Sequence, residues 1–167
     1  MKCTVRGRVN PPIPSQAYLT VRLADVQIAL PVSSVKEILR SVELAPVPGA
    51  PPILEGALNL RGTLLPVIDL RRLLGLPGRP NDPGDSLVIL NAASRTVAVR
   101  VESADEIEEV ATASLASPAS VSPVLANMTA LAGVAAREDG ALVIFDPAAF
   151  LSQAEHDAIA AAIVATP

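Results

Sequence analysis

Residues able to carry covalent or acid–base chemistry are few and scattered along this chain. His156 is the only histidine and Cys3 the only cysteine among 167 residues. A zinc site draws on three or four nitrogen or thiolate ligands and has nothing to assemble from; no metal, cofactor or disulfide is expected. His156 stands between Glu155 and Asp157 in a segment with helical signals, where an exposed helical histidine fits better than a general base. No serine sits in a Gly-x-Ser-x-Gly elbow, and no glycine-rich loop runs into Lys-Ser or Lys-Thr, so neither a serine hydrolase nor a nucleotide site is indicated. Glu106, Glu108 and Glu109 are close in sequence, but paired-carboxylate catalysis needs two acids facing each other across a pocket. Their spacing reads as a solvated acidic strand edge or loop. The expectation is a protein with no catalytic residues.

What stands out instead is recognition chemistry. The stretch 46–69 opens with prolines that stiffen the backbone and continues through Gly56-Ala-Leu-Asn-Leu-Arg-Gly62 into an apolar run. Arg61 is set among leucines beside a glycine suited to a tight turn. An arginine beside exposed apolar side chains is a common anchor in protein interfaces; a plain surface arginine at a turn is the competing reading.

The elements that must hold this stretch are short. Half of the chain is apolar, yet no uninterrupted apolar run approaches the roughly 20 residues of a membrane helix, so no membrane insertion is expected. The amino terminus has basic residues with no apolar stretch behind them, which points to the cytoplasm. A net charge of −4 and only three aromatic residues, Tyr18, Phe145 and Phe150, argue against nucleic acid as a partner. Glycine and proline punctuate short runs rich in Val, Ile and Leu, the pattern of an all-β domain. Residues 18–23 and 26–32 alternate around a hairpin turn at Ala24-Asp25. Asp69 reads as the N-cap of a short helix closed by Gly75, and Ser152 with Glu155 as a capping box opening a terminal helix that runs to about Ala165.

Self-comparison reveals a repeat. Residues 28–38 lie over 97–107 without a gap at an offset of 69, with identities at Ala29/Ala98, Val32/Val101, Ser34/Ser103, Glu37/Glu106 and Ile38/Ile107. Residues 56–74 lie over 133–151 at an offset of 77, matching Gly56/Gly133, Leu65/Leu142, Asp69/Asp146 and Leu74/Leu151. The eight extra residues fall within 111–131, expected to be an extended or irregular connection. Two similar stretches in the same order mean two copies of one structural unit. The expected organisation is a flexible tail over 1–14, a first β-barrel over 15–76, a crossover loop over 77–85, a second β-barrel over 86–151, and a C-terminal helix and tail over 152–167. Barrels closed on themselves would avoid exposed edges. Units of this size bury only roughly 60% of their unfolded surface, so a packed seam between them is expected.

The pieces Gly56-Ala-Leu-Asn-Leu-Arg-Gly62, Pro66-Val-Ile-Asp-Leu70 and Val35-Lys-Glu-Ile38 together resemble the CheW family, over residues 16 to 151. The resemblance implies two intertwined five-stranded SH3-like barrels and a non-catalytic adaptor of chemotaxis signalling. It implies two partners: the regulatory domain of a CheA-type histidine kinase, and the cytoplasmic tip of a methyl-accepting chemoreceptor. Val35, Glu37, Ile38, Gly56, Asn59, Arg61 and Gly62 match positions at or near the family's receptor-facing surface, while the kinase-facing barrel ends are poorly marked by motifs. A protein of this kind would be cytoplasmic and associated with membrane receptor arrays. Ala24-Asp25 departs from the family, which usually has glycine there. Two other readings stay open: an adaptor of another chemosensory array, such as one controlling type IV pili, and an SH3-like module for extended peptides, which would need an aromatic-lined groove.

Overall fold

The computed structural model describes residues 14–92, 95–121, 130–138 and 140–164, and the tail expected over 1–14 lies almost wholly outside them. Eleven strands are described: β1 Ser15–Leu23, β2 Val26–Pro31, β3 Val35–Arg40, β4 Leu54–Leu60, β5 Thr63–Ile68, β6 Ser86–Ala92, β7 Arg95–Val101, β8 Ser103–Ala111, β9 Leu115–Ala116, β10 Leu131–Arg137 and β11 Gly140–Phe145. The helices are α1 Leu70–Leu73, α2 Pro118–Val121 and α3 Gln153–Val164, with single 3-10 turns at Val32–Ser34, Thr112–Ser114 and Pro147–Ala149. Within the stretch expected to be irregular, 112–121 thus forms short elements; 122–129 lies outside the described residues.

The repeat is visible element by element. Adding 77 to the bounds of β4 and β5 gives 131–137 and 140–145, the bounds of β10 and β11. Adding 69 to those of β2 and β3 gives 95–100 and 104–109, inside β7 and β8. Irregularities repeat too. The β4–β5 ladder shifts between Leu54 and Gly56, and the β10–β11 ladder between Leu131 and Gly133, 77 residues on. Lys36 is skipped where β3 pairs with β6, and Asp105, 69 residues on, where β8 pairs with β1. A bulge places one extra residue in one strand and twists it locally, so the two copies share their distortions as well as their strands.

The copies exchange strands. One sheet has the order β8-β1-β2-β11-β10-β9 and the other β3-β6-β7-β5-β4. Each contains a hairpin from the other half, joined through the parallel pairs β2–β11 and β5–β7. The boundary drawn at 77–85 therefore separates the two copies of the repeat and does not separate the sheets. One sheet carries a sixth strand, the two-residue β9, and among the described residues no pairing closes either sheet into a ring. The architecture is all-β with SH3-like subunits, open at their edges.

Exchange explains the core. Leu19, Val21, Leu23, Ile28 and Leu30 of the first sheet pack with Ile68, Val88, Leu90, Val97 and Val99 of the second in one buried cluster, joined by Phe145, Phe150 and Ile159 of α3. Smaller clusters lie within each sheet, around Leu142 and Ile144 in the first and around Leu65, Val67 and Ile89 in the second. The expected seam is thus the largest core of the molecule.

A polar cluster spans the same seam. Glu102 accepts from the Ala24 N–H at 3.1 Å and pairs with Arg71 of α1 and Arg79 of the crossover. Asp85 is buried and pairs with Arg79 and Arg100, while Arg100 also meets Glu55 and donates to the carbonyls of Arg79 and Pro80 at 3.0 and 3.1 Å. Burial pushes the Glu55 carboxyl up, against the pull of Arg100. Three arginines and three carboxylates thereby pin the crossover to both sheets; a charge removed from such a cluster leaves its partner desolvated and unpaired.

Candidate functional site

Arg61 and Gly62 form the two-residue turn between β4 and β5, closing the ladder at Leu60 and Thr63. Both have positive φ, +52° and +87°. A turn with two left-handed residues matches the twist of a hairpin but favours Asn and Gly. Gly62 adopts that conformation freely; Arg61 does so at a cost of roughly 1–2 kcal/mol. Asn59 helps hold the turn, its Oδ1 accepting from the Gly62 N–H at 3.0 Å. The result is an arginine on a rigid hairpin tip with its side chain 75% exposed, 3.4 Å from Glu37 of β3. Exposed pairs of this kind add about 0–1 kcal/mol to stability, so the pair orients Arg61 more than it holds the fold.

Beneath it lies an open cleft of about 400 Å³ lined by Lys36, Glu37, Leu60, Arg61, Leu65 and Ile89. Its floor is the core of the second sheet and its walls are the edge strand β3 and the β4–β5 tip. It offers an apolar base with a charged rim and no catalytic constellation: no cluster of His, Cys, Asp or Glu able to hold a metal is present among the described residues.

The seven residues singled out by sequence fall into four places. Glu37 and Arg61 meet at the cleft, supported by Asn59 and Gly62. Val35 is half-buried and packs against the main core. Gly56 is inside: a Cβ there would sit 2.9 Å from the Leu44 Cβ and 3.0 Å from the Ala45 carbonyl oxygen, so glycine is what lets the 44–45 segment cross β4 and bridge Ala57. Ile38 is 45% exposed but on the other face of β3, because Glu37 pairs across to Ile89 and Ile38 to Val88.

Ile107, 63% exposed on the edge strand β8, was not singled out from sequence. The signal was present, since the repeat lays Ile107 over Ile38. His156 is half-buried, not solvent-facing: its carbonyl accepts from Arg95 at 3.3 Å, and burial together with the Arg95 charge holds its imidazole below the usual range. All three aromatic residues are buried, so no aromatic-lined peptide groove forms from them. No helix among the described residues is long and apolar enough to cross a membrane.

Residues 17–155 match the CheW-like domain family. A chemotaxis protein CheW from Klebsiella aerogenes is 26% identical over 140 residues, 84% of each chain. Protein FrzA from Myxococcus xanthus is 38% identical over 61 residues, covering 36% of this chain and 38% of that one. The crystal structure of the scaffolding protein TtCheW from Thermoanaerobacter tengcongensis superposes with a TM-score of 0.70 at 23% identity, over 79% of this chain and 89% of that one, a likeness of fold.

Proposed function

The chain belongs to the CheW-like domain family of non-catalytic chemotaxis scaffolds, and from that membership we propose that it couples a methyl-accepting chemoreceptor to a CheA-type histidine kinase by binding both. The receptor's cytoplasmic tip, a helical hairpin, docks on the surface formed by the β4–β5 tip and β3, with Arg61 as anchor and Glu37 orienting it. Asn59 and Gly62 shape that surface by fixing the turn, while Val35 and Gly56 serve it indirectly, by packing β3 on the core and by letting the 44–45 segment lie against β4. The kinase's regulatory domain takes a second surface, so the adaptor fixes the relative geometry of receptor and kinase without making or breaking a bond. Its place is the cytoplasmic side of a receptor array.

One observation carries the reading: Arg61 occupies a left-handed position that strains it, with its side chain in solvent. Strain that the fold does not use points to use elsewhere. Calorimetric titration with a receptor hairpin fragment tests it. Arg61→Glu is expected to weaken binding at least roughly tenfold by reversing an anchor charge, with the melting temperature unchanged. Equal affinity for parent and variant would refute the assignment, as would a variant that no longer folds.

A further inference from the structure

Alternation along β3 breaks at one residue, and the break decides what the cleft offers a partner. Val35 pairs with Leu90 and Glu37 with Ile89, so Lys36 is the extra residue of a bulge. In a regular strand successive side chains point to opposite faces, and Lys36 would stand with Ile38, away from Glu37. The bulge changes this. Val35 packs against the main core and Ile38 pairs with Val88 of that core, while Lys36 and Glu37 both line the cleft with Arg61. Bulges are common beside active sites, where they re-aim a side chain in this way.

The re-aimed charge is uncommitted. Glu37 and Arg61 meet each other at 3.4 Å, whereas Lys36 is exposed and its ammonium enters no hydrogen bond or ion pair among the described residues. Two cations and one carboxylate thus stand over the apolar base formed by Leu60, Leu65 and Ile89, a local positive excess in a chain whose net charge is −4. The fold does not call for it. The second copy has its bulge at Asp105, and the positions equivalent to Lys36, Glu37 and Arg61 hold Asp105, Glu106 and Glu138, at offsets of 69, 69 and 77. All three are exposed acids. A cation at the bulge is therefore a property of the cleft and not of the repeated unit.

We propose that Lys36 is a specificity-determining residue of the cleft, pairing with an acidic side chain on the receptor helix that docks there; this rests on the docking of a receptor hairpin at Arg61. A helix presents side chains three and four apart on one face. An Asp or Glu one turn from an apolar anchor therefore reaches the ammonium while the anchor rests on the apolar base. A basic residue at the same place is repelled by Lys36 and Arg61 together, so the charge selects between hairpins more than it adds affinity.

Calorimetric titration of the full chain with a chemoreceptor hairpin fragment tests the pairing, the acidic residues of the fragment being replaced one at a time by lysine. Lys36→Glu is expected to weaken binding of the unaltered fragment at least about fivefold at low salt and less at high salt. Its melting temperature is expected to stay that of the parent, since Lys36 has no partner within the described chain to lose, and Lys36→Met is expected to bind between the two. One acid-to-lysine replacement in the hairpin is expected to weaken binding to the parent and to restore binding to Lys36→Glu. If Lys36→Glu binds as the parent does while Arg61→Glu is weakened, the pairing is overturned and docking at Arg61 stands. Weakening that no replacement in the hairpin restores overturns the pairing too, because the charge then acts on the partner as a whole. A hairpin that binds the parent, Lys36→Glu and Arg61→Glu equally, or binds none of them, removes the docking itself and the pairing with it.

Discussion

At the scale of single residues, the molecule separates side chains that serve the fold from side chains the fold only displays. Ala24 and Arg61 both occupy the left-handed region, at φ +52°. Ala24 is compensated, since its N–H is held by Glu102; Arg61 projects into solvent. Glycine removes the strain in both, against an entropy loss from a freer unfolded chain. Ala24→Gly and Arg61→Gly are each expected to raise stability by up to about 1 kcal/mol in chemical denaturation, and only the second to weaken receptor binding. A destabilised Ala24→Gly would show that the turn is unstrained. His156 adds a pH dependence. Its folded pKa lies below its unfolded value because of burial and Arg95, with Asp157 and Glu155 opposing. Its contribution is therefore complete above the unfolded value, near 6.5, and is lost as pH falls through the folded one. Thermal melts at pH 7.5 and 5 are expected to show a smaller drop for His156→Gln than for the parent; equal drops would assign the effect elsewhere.

At the scale of elements, equivalent positions do equivalent work. Asp69 caps α1 by accepting from the Arg71 N–H at 3.0 Å, and Asp146, 77 residues later, accepts from the Ala148 N–H at 3.0 Å. Asp69→Ala is expected to cost about 0.5–2 kcal/mol, measured by urea unfolding, and an unchanged midpoint would remove the capping role. The cap, the Ala24-Asp25 turn and the Ser152 hydroxyl that accepts from the Glu155 N–H were legible because each depends on residues within a few positions. Gly56 was legible as a motif residue but not as a buried one: its constraint comes from Leu44 and Ala45, which meet it only through the bridge to β4. The half-burial of His156 was hidden for the same reason, since Arg95 is distant in sequence.

At the scale of the whole molecule, two offsets were enough to reveal two copies of one unit, yet pairing between copies leaves no such trace. Similarity between the copies says which strands are equivalent and is silent on which are neighbours; the family resemblance implied intertwined barrels, but which hairpins are exchanged and that the sheet edges stay open emerge only from topology. Exchange also places the largest core and the Glu102–Arg71–Arg79–Asp85–Arg100 cluster between the sheets, tying them into one body. Glu102→Gln, which weakens that cluster at its link to the Ala24 turn, is expected to lower the melting temperature, and more at low than at high salt. A salt-independent loss would deny the cluster an electrostatic role. A coupling scaffold must bind the regulatory domain of a CheA-type kinase from the same organism, and calorimetric titration with that domain tests whether this chain does. Saturable binding near one-to-one, persisting in Arg61→Glu, is expected; a folded chain that binds no such domain would not be a coupling scaffold of this kind.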